Sequence, residues 1–450
     1  MKKNVKRLFI TLSVAALGAL SIAGLAACGD SPTHTHTYTN WSVSDTEHWR
    51  TTVCSDHSTQ EEKAAHTYNG TTCSVCGYDS TALEYIGAST GYAVKVSASG
   101  KTKSKIIVPA TVNDFDIIAI EAFGFEEAAV SEISLPATVK TIGREAFSGC
   151  TKLGKVDLSG TVLTTIENAT FLNCTSITEV KLPESVKTIK PGAFEGCAKL
   201  EGITLPEGLT SLGEQAFGRC TSLKSITLPE GVTRINNNLF QGCTKLSTVS
   251  FGNVTYIGDN AFAHCTSLKT IDLGTVLQHI GQYAFRASGL TEITVPESVG
   301  YYVNEESGNQ ENNPMRTIGA GAFTDCTSLK KATIKASINY IYADLFSGCS
   351  ALEELTLPFV GSHKTVSSGT LTTKFGFVFG TATPTDASKF TKVGSYYIPN
   401  SLKKVTVLGG TISAGAFDGC SMLEEIKYAS GVLASGVTSF DGCTATLTQI

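Results

Sequence analysis

The sequence has few charged residues and few histidines for its length. Only 17% of its 450 residues are charged and the formal net charge is −5, so no basic surface for nucleic acid is expected. Beyond residue 66 the only histidines are His264, His279 and His363, and each is isolated. The motifs of serine hydrolases, zinc proteases, P-loop proteins and EF-hands are absent. These absences argue against an enzyme and against a nucleic-acid-binding protein.

The start of the chain has the pattern of an export signal. Basic residues come first, an apolar stretch follows at positions 8–25, and the run L-A-A-C ends at Cys28. An ordinary secretory signal and an uncleaved transmembrane helix are alternatives that share the apolar stretch. The run L-A-A-C resembles the lipobox of bacterial lipoproteins. The resemblance implies that residues 1–27 are removed and that Cys28 carries a lipid that anchors the chain to the bacterial membrane or cell surface.

A flexible tether, residues 28–40, leads to a small segment, residues 41–80, with a pattern of metal ligands. A C-x2-H pair and a C-x2-C pair are separated by fifteen residues, at Cys54, His57, Cys73 and Cys76. This is the spacing of a zinc ribbon with one histidine, and four S and N ligands make a closed structural Zn²⁺ site. So short a segment buries little core, and zinc would stabilise it. Disulfides or free thiols are the alternatives in an exported protein.

From residue 84 to residue 450, one pattern of about 23 residues recurs about a dozen times. Leu223, Ile226 and Leu228 form the L-x-x-L-x-L core of one unit. Alternation places Ile226 and Leu228 inside a short strand, with the residue between them outside. One unit cannot bury its apolar side without neighbours. The repeat therefore predicts a solenoid with parallel strands on one face and short helical or 3₁₀ turns on the return side.

The unit I-x-L-P-x-x-V-x-x-I-x-x-x-A-F-x-x-C-x-x-L resembles the BspA-like leucine-rich repeat family. The resemblance covers residues 84–450 and implies an α/β solenoid of leucine-rich repeats. It also implies a cell-surface protein, similar to an adhesin, that binds extracellular protein or glycan. A structural spacer or envelope scaffold without a specific ligand is the alternative. No cofactor other than structural zinc is expected.

Ten cysteines recur at one position of the repeat, which predicts a structural role. A small apolar thiol fits a narrow buried turn, and stacked side chains with parallel Cβ vectors suit a disulfide poorly. We therefore expect a ladder of reduced, buried cysteines, and Ser288 takes one of its places. The outward strand positions, such as Asp272 and Thr294, are small and of mixed charge. They predict a flat sheet without a pocket.

Two insertions interrupt the repeats, at residues 301–316 and 359–401. The first is polar, and a surface loop is expected. The second is rich in glycine and aromatic residues, and two interpretations stay open: a loop that binds a partner, or a private β-hairpin that packs over the stack. The aromatic candidates for partner binding are Phe375, Phe377, Phe379, Tyr396 and Tyr397.

Overall fold

The architecture is given by a computed structural model that contains strands, turns and a few short 3₁₀ helices. It describes residues 36–38, 42–43, 47–54, 59–66, 68–69, 72–73, 78–88, 90–300, 318–335, 337–364 and 373–450.

The described residues of the segment before the repeats form six strands. They are β1 (His36–Tyr38), β2 (Ser42–Val43), β3 (Glu47–Cys54), β4 (Thr59–Ala65), β5 (Tyr68–Asn69) and β6 (Thr72–Cys73). Strand β3 pairs antiparallel with β1, β2 and β4, and β5 with β6. Val43 and Cys73 are buried together with Tyr78 and Ile107, and the Ala110 N–H donates to the carbonyl oxygen of Val43 at 2.6 Å. This segment therefore packs against the start of the repeats.

An antiparallel hairpin covers the first repeat. The elements here are β7 (Leu83–Ala88), β8 (Gly91–Val96), a 3₁₀ helix (Gly100–Thr102), β9 (Lys105–Ile107), β10 (Thr111–Val112) and β11 (Phe115–Ile120). Strand β7 pairs antiparallel with β8, and β8 pairs parallel with β11. The hairpin thus covers the edge that the first parallel strand would otherwise expose, as terminal units of solenoids do.

The repeats that follow are built from short parallel strands. The strands, in chain order, are β12 (Glu132–Ser134), β13 (Thr141–Ile142), β14 (Lys155–Asp157), β15 (Thr165–Ile166), β16 (Glu179–Lys181), β17 (Thr188–Ile189), β18 (Ser211–Leu212), β19 (Ser225–Thr227), β20 (Arg234–Ile235), β21 (Thr248–Ser250), β22 (Tyr256–Ile257), β23 (His279–Ile280), β24 (Glu292–Val295), β25 (Lys331–Ile334), β26 (Glu354–Leu357), β27 (Phe390–Val393), β28 (Tyr396–Pro399), β29 (Lys404–Val407), β30 (Glu425–Tyr428) and β31 (Thr446–Gln449). Strands β27 and β28 form an antiparallel hairpin, and the others pair in parallel.

The parallel strands line two faces of the solenoid. On the first, which we call the strand face, the ladders are β9-β12-β14-β16, β19-β21 and β24-β25-β26-β29-β30-β31. On the second, which we call the short-strand face, β11 pairs with β13, and the ladders β15-β17-β18 and β20-β22-β23 follow. Equivalent residues of successive units lie side by side, as Val156 does beside Val180. The solenoid with a period of about 23 residues is therefore confirmed. The expectation that parallel strands line only one face is wrong, because the two-residue strands also pair from unit to unit and form a second face.

The return segments are turns, which corrects the helical part of the expected α/β architecture. Two residues of each return segment adopt left-handed backbone angles, such as Gln215 and Arg219 with φ of 57° and 58°. A right-handed helix cannot run through such residues. The backbone bonds to the next unit instead, as when the Phe217 N–H donates to the Leu239 carbonyl oxygen at 3.1 Å. Accordingly, the ranges that the structure describes contain no α-helix.

The core of the solenoid is a ladder of stacked phenylalanines. Ring centroids of neighbours in the ladder are 5.2 to 6.0 Å apart. All ten side chains are fully buried: Phe125, Phe147, Phe171, Phe194, Phe217, Phe240, Phe262, Phe285, Phe323 and Phe346. Phe285 stacks on Phe323 at 5.6 Å, so the ladder continues across the first insertion.

The repeat cysteines fill the space beside this ladder, and the predicted buried ladder is confirmed. Nine of the ten thiols are buried, the tenth is half-buried, and all are free. Cys220 Sγ donates to the carbonyl oxygen of Phe194 at 3.2 Å, and the other repeat cysteines from Cys150 to Cys349 make the same bond. Burial raises the pKa of Cys265 to about 12. The thiols therefore stay protonated, and their role is structural.

Candidate functional site

The lipidation and metal candidates lie mostly outside the described residues. Cys28, His57 and Cys76 are among those outside. Cys54 ends β3, where its backbone pairs with His36, and Cys73 ends β6, where it is buried. The part of the chain that the structure describes holds no group of three or more potential metal ligands. The zinc site stays a prediction, which metal analysis of the purified chain would test.

The second insertion continues the core of the solenoid. Its 3₁₀ helix Phe375–Phe379 lies between two units, since the Phe346 N–H donates to the Val378 carbonyl oxygen and the Phe375 N–H donates to the Ala416 carbonyl oxygen, both at 2.9 Å. The Phe375 ring lies 4.8 Å from that of Phe417, in the next unit. A second 3₁₀ helix, Ala387–Lys389, leads into the hairpin of β27 and β28.

The five aromatic candidates of this insertion differ in how deeply they are buried. Phe375, Phe379 and Tyr396 are buried, while Phe377 and Tyr397 are half-buried. Tyr396 lies directly against Gly376 in the 3₁₀ helix, where an added Cβ would come within 2.6 Å of its ring. These contacts favour the interpretation that the insertion packs over the stack. The first insertion, residues 301–316, lies outside the described residues.

The strand face carries ion pairs between neighbouring units. Lys155 Nζ lies 3.1 Å from a Glu179 carboxylate oxygen, and Lys181 Nζ lies 3.6 Å from one of Asp157. Similar pairs link Lys105 to Glu132, Lys224 to Glu201 and Lys331 to Glu354. Exposed pairs of this kind stabilise a fold little. Their effect here is to neutralise most of the charge on this face.

One part of the strand face departs from the flat surface predicted from the sequence. Between residues 270–274 and β24 there is a shallow cavity of about 290 Å³, which we call the strand-face pocket. Its polar side chains are Thr270, Asp272, Glu292 and Thr294, all of them exposed. The flat surface expected from the sequence is interrupted here by a shallow depression.

Three side chains form a stack on the short-strand face, and this stack was not predicted from the sequence. Arg234, Tyr256 and His279 lie side by side at one register position of β20, β22 and β23. The Arg234 guanidinium lies 3.7 Å from the centre of the Tyr256 ring, and the Tyr256 and His279 rings stack at 4.5 Å. Earlier units have Thr or Ser at this position, so alignment of the units is the signal that would have found the stack.

This stack should make the stability of the fold depend on pH. Burial lowers the pKa of His279 from 6.5 to about 4, with a smaller contribution from Arg234 against the opposing effect of Asp259. Below pH 6.5 the His279 side chain is protonated in the unfolded chain, whereas in the folded chain it stays neutral until the pH falls to about 4. Stability should therefore fall over this window, by about 1–3 kcal/mol.

Urea denaturation at pH 7 and pH 4.5 measures the effect, with His279→Phe as the control because it keeps an aromatic ring on Tyr256. The wild-type protein should lose more stability between the two pH values than the variant does. Equal losses would contradict the prediction, since the carboxylates that titrate in this range are common to both proteins.

The family is shown by the repeats. The model of the BspA type leucine-rich repeat region matches six copies, within residues 118–243, 187–309, 304–373 and 387–450. These matches span more than half of the sequence. The chain belongs to the BspA-type leucine-rich repeat family. BspA-type proteins are typically found at the surface or outside the cell, and leucine-rich repeat proteins are generally not enzymes and commonly bind proteins.

This BspA-type chain is similar to solved structures of bacterial leucine-rich repeat proteins. A leucine-rich repeat protein from Bacteroides ovatus is 24% identical to this chain, with a TM-score of 0.57. The match covers 82% of this chain and 98% of the Bacteroides chain. A leucine-rich cell surface protein from Faecalibacterium prausnitzii is 20% identical, with a TM-score of 0.38, and covers 79% of this chain and 94% of its own. A search of curated proteins finds no match. None of the described helices is long and apolar enough to cross a membrane.

Proposed function

We propose that this chain is a lipid-anchored surface protein that binds an extracellular protein or glycan through its solenoid. The observation that supports binding is the extent of the strand face. From β24 to β31 six strands lie in register, with Thr294, Thr333 and Thr356 adjacent at one outward position. A stacked core holds such a surface rigid over many units, so many weak contacts with one partner can act together. Membership of a surface family agrees with this role.

The anchor rests on the sequence pattern at Cys28. Wild-type protein should fractionate with membranes and incorporate labelled fatty acid, whereas Cys28→Ser should do neither. A Cys28→Ser protein that stays with the membrane would count against the anchor and leave the binding role untouched.

Binding is tested with the full chain immobilised and exposed to extracellular extracts and to a glycan array. The expected result is one partner that is retained saturably and is released by soluble protein of the same sequence. The matched control is chain unfolded before immobilisation, which keeps the composition and loses the surface. Retention by the control, or no saturable partner on any extract or array, would argue against binding and favour a structural spacer or envelope scaffold.

A further inference from the structure

The short-strand face carries cations that no carboxylate neutralises. We call the basic stripe the first residue of each two-residue strand from β13 to β23, together with the residue before it. The stripe contains Lys140, Lys187 and Arg234, and none of the three has an ion pair with any residue in the described ranges. On the strand face, by contrast, lysine side chains pair with carboxylates of neighbouring units. The two faces therefore differ in free positive charge.

No acidic residue occupies the basic stripe. The carboxylates of the same units lie on the turn before each strand, as Glu207 and Glu230 do, or after the strand, as Asp259 does. Apart from Lys187, every stripe position between residues 140 and 234 holds a threonine or a serine, and none of these side chains is buried. A ligand that lies along the stripe would therefore meet positive charges separated by hydroxyl groups.

Arg234 is the cation of the stripe that is held in place. Its guanidinium lies 3.7 Å from the centre of the Tyr256 ring, and His279 stacks on that ring at 4.5 Å from the next unit. A guanidinium that is already oriented loses little side-chain freedom when it binds a carboxylate. Both faces of the Tyr256 ring are covered, so the ring cannot serve as a stacking platform for a nucleobase.

The cations of the stripe recur in every second unit. Residues 140, 187 and 234 follow one another at intervals of two repeats. Neighbouring strands lie about 4.8 Å apart, so successive cations are roughly 10 Å apart along the stripe. Side chains on one side of an extended peptide recur every ~6.8 Å, which fits this spacing poorly. A polysaccharide with a carboxylate on every second sugar fits it better, because two linked sugar rings span a similar distance.

We propose that the basic stripe binds an acidic polysaccharide that carries a carboxylate on every second sugar. The inference rests on the proposed binding function, narrows it to one class of glycan and adds the short-strand face as a binding surface. Arg234 binds one carboxylate through two parallel hydrogen bonds, and Lys187 and Lys140 contact the carboxylates that follow along the polymer. The sugar hydroxyls bond to the threonines and serines between them. Each contact is exposed and weak, so affinity depends on several contacts made by one polymer.

The test uses the full chain and a labelled hyaluronan dodecasaccharide, which carries a carboxylate on every second sugar. The comparison ligand is the same oligosaccharide with its carboxylates reduced to alcohols, which keeps the sugar rings and removes the charge. Fluorescence anisotropy at low salt should show saturable binding of hyaluronan, at least about tenfold weaker binding of the reduced form, and a loss of affinity as salt is added. A glutamate peptide with the same number of carboxylates should bind at least about threefold more weakly than hyaluronan.

The double variant K187Q/R234Q should bind hyaluronan at least about tenfold more weakly than the wild type does. The matched control is K155Q/K224Q, which removes the same two charges from the strand face, where both lysines are paired with glutamates. It should leave the affinity within about twofold of the wild type. Lys187 is exposed, so Lys187→Gln alone tests the stripe if the double variant does not fold, with an expected loss of about threefold.

Equal affinity for hyaluronan and its reduced form, equal effects of K187Q/R234Q and K155Q/K224Q, or no loss in Lys187→Gln would each overturn the inference. Binding of the glutamate peptide as tight as that of hyaluronan would overturn the assignment to a glycan. A saturable partner that the wild type and K187Q/R234Q retain equally, without binding of hyaluronan, would also overturn it while the proposed function stands. No saturable partner of any kind for the wild type would count against the proposed function itself.

Discussion

Replacing Phe217 by alanine should lower the free energy of unfolding by about 3–5 kcal/mol, the range for a large aromatic side chain removed from a packed core. The Phe217 ring is fully buried and stacks on Phe194 at 5.6 Å and on Phe240 at 6.0 Å. In a solenoid each unit is stabilised mainly by contacts with its two neighbours. The truncation therefore weakens both interfaces of one unit and leaves a cavity in the middle of the stack.

Urea denaturation followed by circular dichroism measures the loss, and Phe115→Ala is the matched control. Phe115 is 58% exposed on the hairpin sheet at the start of the repeats, so its truncation should cost below about 1 kcal/mol. Amide hydrogen exchange should also rise in the units around Phe217 more than in distant units. A loss for Phe217→Ala as small as that for Phe115→Ala would show that the phenylalanine ladder does not hold the units together.

The strands and the core of the repeats could be predicted because they depend on local apolar spacing. Ile226 and Leu228 are buried on either side of the exposed Thr227, as alternation requires. The return turns could not be predicted in the same way. Gln215 and Arg219 adopt left-handed angles although neither is a glycine, because hydrogen bonds to the neighbouring unit hold them there. Residue type alone therefore indicated a helical turn that the stacked units do not form.

At the candidate sites too, the features that could not be predicted from the sequence depend on contacts between units. His279 looks isolated in the sequence and becomes part of a stack only when β22 is placed beside β23. Residues 271–273 have the apolar strand pattern of the other units, yet they join no strand ladder, and the strand-face pocket lies beside them. Single-unit patterns predict which side chains point inward, whereas the breaks and stacks depend on how two units fit together.

Replacing Phe375 by alanine should be nearly as damaging as the change at Phe217, with a loss of about 3–5 kcal/mol. Phe375 belongs to the second insertion, yet it is fully buried, and its ring lies 4.8 Å from Phe417 and 5.5 Å from Phe379. Its N–H also bonds to the next unit. If the insertion were a loop devoted to a partner, truncating this ring would leave the stability of the solenoid unchanged.

The matched control for Phe375→Ala is Phe377→Ala in the same 3₁₀ helix, where the ring is half-buried and the loss should be about 1 kcal/mol. Partner binding is measured with the variant Tyr397→Ala. In the wild type the half-buried Tyr397 ring lies on the hairpin of β27 and β28, and its hydroxyl is 3.2 Å from that of Thr383. A loss of stability in Phe375→Ala, together with unchanged retention of the partner by Tyr397→Ala, would show that the insertion is part of the core. Unchanged stability of Phe375→Ala would contradict that conclusion, because a fully buried ring that packs on the next unit cannot be removed without weakening the stack.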